Sequence, residues 1–180
     1  MKFSTLILPA ASLFYSTLVH SSPLEVRTAQ TCGNPSDTVP FLRAVSPSNG
    51  DHFYTTNPTE MVKAITNLGY KLEGNAAQVF TTQELSTVPF FRLVQPRVGD
   101  HFYTTSASER DNAILSLGYV DEGVAAFIYT DGNCGGQPIF RLVSLRSGDH
   151  FYTMNAAERD SAVGLGYTLE GIAGFTLPPA

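Results

Sequence analysis

The sequence predicts an α+β, β-rich fold in which three units of about 49 residues, each β-β-α-β(-β), close into one pseudo-threefold domain, propeller- or trefoil-like. Three observations predict it. The stretch Gly-Asp-His-Phe-Tyr-Thr begins at Gly50, Gly99 and Gly148. A Pro, an apolar pair and an Arg precede it each time, at Pro40–Arg43, Pro89–Arg92 and Pro138–Arg141. Leu-Gly-Tyr follows at Leu68, Leu117 and Leu165, and Glu-Gly at Glu73, Glu122 and Glu170. A unit this small cannot bury its own apolar surface, so three must pool theirs. An open array would carry polar, divergent end units, so closure is expected. The units, segments one to three, span residues 38–86, 87–136 and 137–180.

Each segment opens with a short aromatic and β-branched run after Pro, at Phe41–Val45, Phe90–Val94 and Ile139–Val143, which reads as a strand. Loops ending in Gly lead into a second strand, Asp-His-Phe-Tyr-Thr, and a hairpin results. Alternation along that strand places His and Tyr on one face and Asp, Phe and Thr on the other. Asn57, Ser106 and Asn155 then cap helices, with Glu60, Glu109 and Glu158 three residues on in a capping-box pattern and Pro58 at a first helical position. The helices run about ten residues to Gly69, Gly118 and Gly166. Their expected buried sides are Ala64, Ile65 and Leu68; Ala113, Ile114 and Leu117; and Ala162, Val163 and Leu165. The chain returns through a Glu-Gly turn into a further strand or two.

Lys2, an apolar run from Leu6 to Leu18 and the small residues at Ser21–Ser22 read as a secretory signal peptide over residues 1–21. The run is shorter than the roughly 20 residues that span a bilayer. A linking segment with Cys32, residues 22–37, precedes the repeat domain of 38–180. The expected product is secreted, extracellular, monomeric and free of the membrane after cleavage. Without residues 1–21 the formal charge is about −6, which argues against nucleic acid, because phosphate binding needs clustered positive charge. Cys32 and Cys134 fit an oxidising compartment and one disulfide, two free thiols being the alternative.

The candidate ligand-binding residues recur in every segment: Arg43, Asp51, His52 and Tyr54; Arg92, Asp100, His101 and Tyr103; Arg141, Asp149, His150 and Tyr152. Each His follows an Asp. It could orient its hairpin, or line a small polar pocket with Asp, Tyr and Arg, or join the other two in holding a metal. No His-x-x-x-His spacing supports the metal, and neither a metal nor a cofactor is expected. The strand Arg could pair with the Glu of the Glu-Gly turn or hold sugar hydroxyls. No Gly-x-Ser-x-Gly, His-Glu-x-x-His, phosphate-binding Gly-rich loop or Cys-x-x-Cys occurs. Equal polar groups in triplicate suit multivalent binding rather than catalysis, which normally breaks symmetry.

The run "PFFRLV" through "GDHFYTTSASERDNAILSLGY" to "EGVAAFIY" resembles a repeat domain of unknown function found in secreted fungal and bacterial proteins. The resemblance covers all three segments. It implies an extracellular location, occasional attachment to hydrolases acting on cell walls or proteins, and a binding role; it supplies no catalytic residue. Segment one departs with Met61-Val62 where the others carry Arg110-Asp111 and Arg159-Asp160, and segment three has Met154 for Thr. The expected function is a lectin-like module for cell-wall or glycoprotein carbohydrate. The alternatives are a structural or effector-like protein acting through its variable loops, and a cell-wall-directed hydrolase.

Overall fold

The computed structural model describes residues 32–179; the expected signal peptide, its cleavage point and residues 22–31 lie outside them. After a short 3-10 turn at Pro35–Asp37, the chain runs β1 (Val39–Val45), β2 (His52–Thr55), α1 (Pro58–Leu68) and β3 (Lys71–Val79). It continues with β4 (Thr87–Gln95), β5 (Asp100–Thr104), α2 (Ala107–Leu117) and β6 (Val120–Tyr129), then β7 (Gln137–Val143), β8 (His150–Thr153), α3 (Ala156–Gly164) and β9 (Thr168–Thr176). The fold is thus β-rich α+β, with three helices.

β1 pairs antiparallel with β2 and β3, β4 with β5 and β6, and β7 with β8 and β9. The first trio is a sheet of its own. The other two join through Tyr129 opposite Phe175 into a six-stranded sheet ordered β5-β4-β6-β9-β7-β8. Isolated bridges, Phe80 with Phe127 and Gln78 with Leu177, tie the end of segment one to the other two. The middle strands are irregular on both sides of their arginine, with register shifts at Phe41/Leu42 and Arg43/Ala44 and at the matching places in β4 and β7. Such bulges re-aim side chains, and Arg43, Arg92 and Arg141 lie turned away from bulk water at 13–15% side-chain exposure.

The second strands are buried on both faces. Tyr54, Tyr103 and Tyr152 enter a central core with Phe41, Phe90 and Ile139. Phe53, Phe102 and Phe151 point the other way into three smaller clusters, each roofed by a helix through Ala64, Ala113 or Ala162. Alanines there let helix and strand approach closely. Segment three carries Gly174 where the others have Ala77 and Ala126, since a Cβ at Gly174 would lie 2.5 Å from Ile128 Cδ1.

The helix starts form as their caps require: Asn57 Oδ1 accepts from Thr59 and Glu60 N–H, Ser106 Oγ from Glu109 N–H, and Asn155 Oδ1 from Ala157 and Glu158 N–H. The second half of the expected capping box does not form. The cap residues' own N–H groups bond instead to Thr55, Thr104 and Thr153 Oγ1, at 2.9–3.0 Å. The glutamates are thereby freed for arginines elsewhere. The expected apolar helix sides need a second correction, because Leu68, Leu117 and Leu165 are 70, 57 and 83% exposed. Each sits on the last turn or just past it, overhanging a cleft rather than the sheet.

Segment one's departure at Met61 has a packing cause. Arg110 stacks on Phe91 at 4.4 Å and Arg159 on Phe140 at 4.5 Å, each held by its neighbouring Asp. Where segment one has Leu42 in place of that Phe, Met61 packs on it in the apolar cluster instead. The Arg-Asp pair therefore supports the helix. The Cys32–Cys134 disulfide is formed and spans 102 residues; in the chain-entropy account a loop of that size contributes about 4–5 kcal/mol.

Candidate functional site

The segments meet through polar groups that reach across to the next one. Tyr103 Oη donates to Tyr54 C=O and accepts from Tyr54 N–H, both at 2.8 Å. Tyr152 does the same to Tyr103, and Tyr54 to Tyr152, so the chain of bonds returns to its start. The three rings pack edge to face at 5.4–5.6 Å between centroids and are 0% exposed. Each hydroxyl takes the place of a strand partner for the free edge of the neighbouring second strand. Burial pushes all three phenols well above their ordinary pKa.

A second set surrounds the first. Asp51 accepts from His101 backbone N–H and Nδ1, both at 2.7 Å; Asp100 holds His150, and Asp149 holds His52, in the same way at 2.7–2.8 Å. The Tyr70, Tyr119 and Tyr167 hydroxyls donate to the same three carboxylates at 2.5–2.6 Å. Donation to Asp places a proton on Nδ1 and leaves Nε2 at 3.8 Å from Glu73, Glu122 or Glu170. The His thus bonds the Asp of the preceding segment, not the one beside it in sequence.

The arginines complete the junctions. Arg43 forks onto Glu158, Arg92 onto Glu60 and Arg141 onto Glu109, with two bonds each at 2.8–3.1 Å. Their Nε atoms lie 2.7–2.9 Å from Glu73, Glu122 and Glu170, at angles too poor for a hydrogen bond. Their planes cover Phe151, Phe53 and Phe102 at 5.1–5.2 Å. Thr55, Thr104 and Thr153 hydroxyls add bonds to Glu60, Glu109 and Glu158. Burial acts to raise these three carboxyls, but the arginine and threonine bonds outweigh it and hold them below the ordinary glutamate value. Burial likewise acts to lower the guanidinium values, and their glutamate partners reverse it to a net rise.

Outside this belt lie three clefts of like construction, one at each junction, of about 270, 170 and 220 Å³. The first has Phe53, Tyr70 and Leu68 on one wall and His101, Arg92 and Glu122 on the other, with Glu60 between. The second repeats this with Phe102, Tyr119 and Leu117 facing His150, Arg141 and Glu170, and the third with Phe151, Tyr167 and Leu165 facing His52 and Glu73. The helix position at the mouth differs: Lys63, Asn112 or Ser161.

The twelve candidate residues are therefore brought together, but unequally. The tyrosines Tyr54, Tyr103 and Tyr152 and the carboxylates of Asp51, Asp100 and Asp149 have 0–2% exposure and inward partners, whereas the three His, with Arg92 and Arg141, edge the clefts and Arg43 lies by a neighbouring cavity, all at 13–15%. The Asp carboxylates converge within 4.8 Å, the one metal-like grouping among the described residues. Their oxygens already accept backbone, imidazole and phenol donors. The capping pattern gives Glu60, Glu109 and Glu158 a local role only, and the Leu-Gly-Tyr motif assigns Tyr70, Tyr119 and Tyr167 no partner. Their threefold recurrence was the available signal, but their partners lie in another segment. No curated protein and no solved structure matches the chain. A family model does, over residues 40–177, which takes in all three junctions: the chain belongs to the family described as a domain of unknown function (DUF5648).

Proposed function

We propose that the protein is a secreted, monomeric binding module whose three segments stand about a pseudo-threefold axis and present three equivalent clefts to carbohydrate. The recurrence of one cleft at three junctions carries the reading. Each cleft combines an aromatic and aliphatic wall, suited to the apolar face of a pyranose, with two carboxylates able to accept from sugar hydroxyls. The guanidiniums of Arg92 and Arg141 in two of them, and of Arg43 behind the third, are committed to those carboxylates, which leaves no free cation for a phosphate in their linings apart from Lys63 at one mouth. Each cleft is smaller than the range of about 300–1,000 Å³ usual for drug-sized ligands. Single sites should accordingly be weak, and a polymer touching several would gain by avidity, by as much as about 10²–10⁴-fold. A glycan array with pull-downs on chitin, β-glucan and mannan tests this. Binding should fall stepwise as Lys63, Asn112 and Ser161 are changed to Trp to fill one, two and three clefts. Silence on every glycan, or binding untouched by the triple variant, would refute it.

A second reading, protein contact through the hairpin loops, is favoured by their convergence. Asn49 Nδ2 donates to Val98 C=O at 3.0 Å, and Val98 packs beside Gly148. Leu145 there is 82% exposed and Val98 47%.

A further inference from the structure

The junction between segments three and one differs from the other two. At those two, Thr56 Oγ1 donates to Ala125 C=O at 3.4 Å and Thr105 Oγ1 to Ala173 C=O at 3.1 Å, lacing the helix entrance to the neighbouring strand. The matching residue of segment three is Met154, which has no hydroxyl; it packs against the central core and accepts from Thr176 Oγ1 at 3.1 Å. The lace to Ala76 is missing. Beside the Arg–Glu belt, sharing Glu73 and Glu158 with the third cleft, a cavity of about 340 Å³ opens, against about 180 Å³ at the junction of segments two and three. Its wall also carries Asn75, where the equivalent strand residues are the apolar Val124 and Ile172.

The polar groups of this cavity are oriented. Asn75 Oδ1 accepts from Ala77 N–H, and Asn155 Oδ1 from Ala157 and Glu158 N–H. Both oxygens are thus held by backbone, and both NH₂ groups are left as donors without a partner among the described residues. The Gln137 amide stands beside them. Arg43 is held by Glu73 and Glu158, so the cavity carries one net negative charge and disfavours an anion. Amide donors, carboxylate acceptors and an apolar side from Met154, Ala76, Pro178 and Pro179 match a neutral pyranose, whose hydroxyls both give and accept and whose C–H face is apolar. We propose that this cavity is a separate, single-copy saccharide site of the protein, taking one neutral sugar residue, with Asn75 and Asn155 as its donors and Met154 as the residue that holds it open.

The site shares Glu73 and Glu158 with the third cleft but has donors of its own, and one experiment separates them. The folded protein is titrated with the methyl pyranosides of glucose, mannose, galactose and N-acetylglucosamine, each up to about 50 mM, while side-chain amide resonances are followed by NMR. At least one sugar should move the Asn75 and Asn155 NH₂ signals along a single saturable curve. Asn75→Val, which installs the residue of segment two, should abolish the Asn155 response. Met154→Thr, which restores the lace, should weaken it about tenfold. Both variants copy a sibling segment, and unchanged thermal unfolding confirms that they fold. No movement with any of the four sugars, or an Asn155 response that survives Asn75→Val, overturns the proposal. The Asn112 amide reports on a cleft in the same spectra: movement there alone would leave the clefts standing and sink this site, and movement at Asn75 and Asn155 alone would do the reverse.

Discussion

Tyr103→Phe removes one oxygen atom and tests the whole inter-segment lock. Its hydroxyl gives to Tyr54 C=O and takes from Tyr54 N–H, both at 2.8 Å, with both rings 0% exposed. The ring and its packing stay, so no cavity term enters. Two backbone groups of β2 lose their partner at a depth water does not reach. Each buried orphan costs about 1–3 kcal/mol, which gives a loss of about 2–6 kcal/mol. For a domain of this size that is a fall in Tm of about 5–20 °C. Combining Tyr54→Phe, Tyr103→Phe and Tyr152→Phe would cost about 6–18 kcal/mol against a typical total of about 5–15, so the triple variant should lose most or all of its stability. Urea unfolding of the single variant supplies the number. A loss under about 1 kcal/mol with unchanged m would mean that the edge of β2 is satisfied some other way, and the lock would not be what joins the segments.

Two further outcomes are expected. The folded-state pKa values of Glu60, Glu109 and Glu158 are depressed, so their contribution is present above the unfolded value of about 4.3 and is lost as pH falls through the folded value; chemical denaturation between about pH 5 and pH 2 should show stability falling throughout, and a flat profile would contradict the Arg–Glu forks. Leu42→Phe with Met61→Arg should rebuild in segment one the stack that Phe91 makes with Arg110. A double-mutant cycle should then give a favourable coupling of about 0.5–1 kcal/mol, and strictly additive single effects would refute the packing account of segment one's departure.

Much of this was legible because it is local. The helix caps at Asn57, Ser106 and Asn155 use the chain's own next two or three residues, and the hairpin glycines at 50, 99 and 148 take φ of +85, +77 and +83°, as a turn into a second strand requires. The glutamates were misjudged because a capping box and a long-range ion pair make the same demand on sequence, a Glu at the third helical position. The structure settles between them by supplying Thr55, Thr104 and Thr153 to the cap N–H. Leu68, Leu117 and Leu165 read as buried because helical spacing reports the apolar stripe and not how far the sheet extends beneath it.

The Asp-His pairing was the least legible feature, and strand geometry explains why. Neighbours on a strand point to opposite faces, so Asp51 and His52 cannot serve each other well; each must find the other's counterpart on a different chain segment. When every segment carries the same words, sequence cannot say whether Asp51 meets His101 or His150, and only packing decides. The same logic separates framework from function. Groups that bridge segments, namely the buried Tyr and Asp sets and the half-buried His, Arg and Glu sets, cannot vary in one segment without orphaning a partner in the next. Positions that differ among the segments are Lys63, Asn112 and Ser161 at the cleft mouths and, lining the cavity at the third junction, Asn75 and Met154. Sameness among the segments therefore reports the cost of the polar lock that frames each cleft, and what distinguishes one cleft's ligand from another's should be written where the three segments disagree.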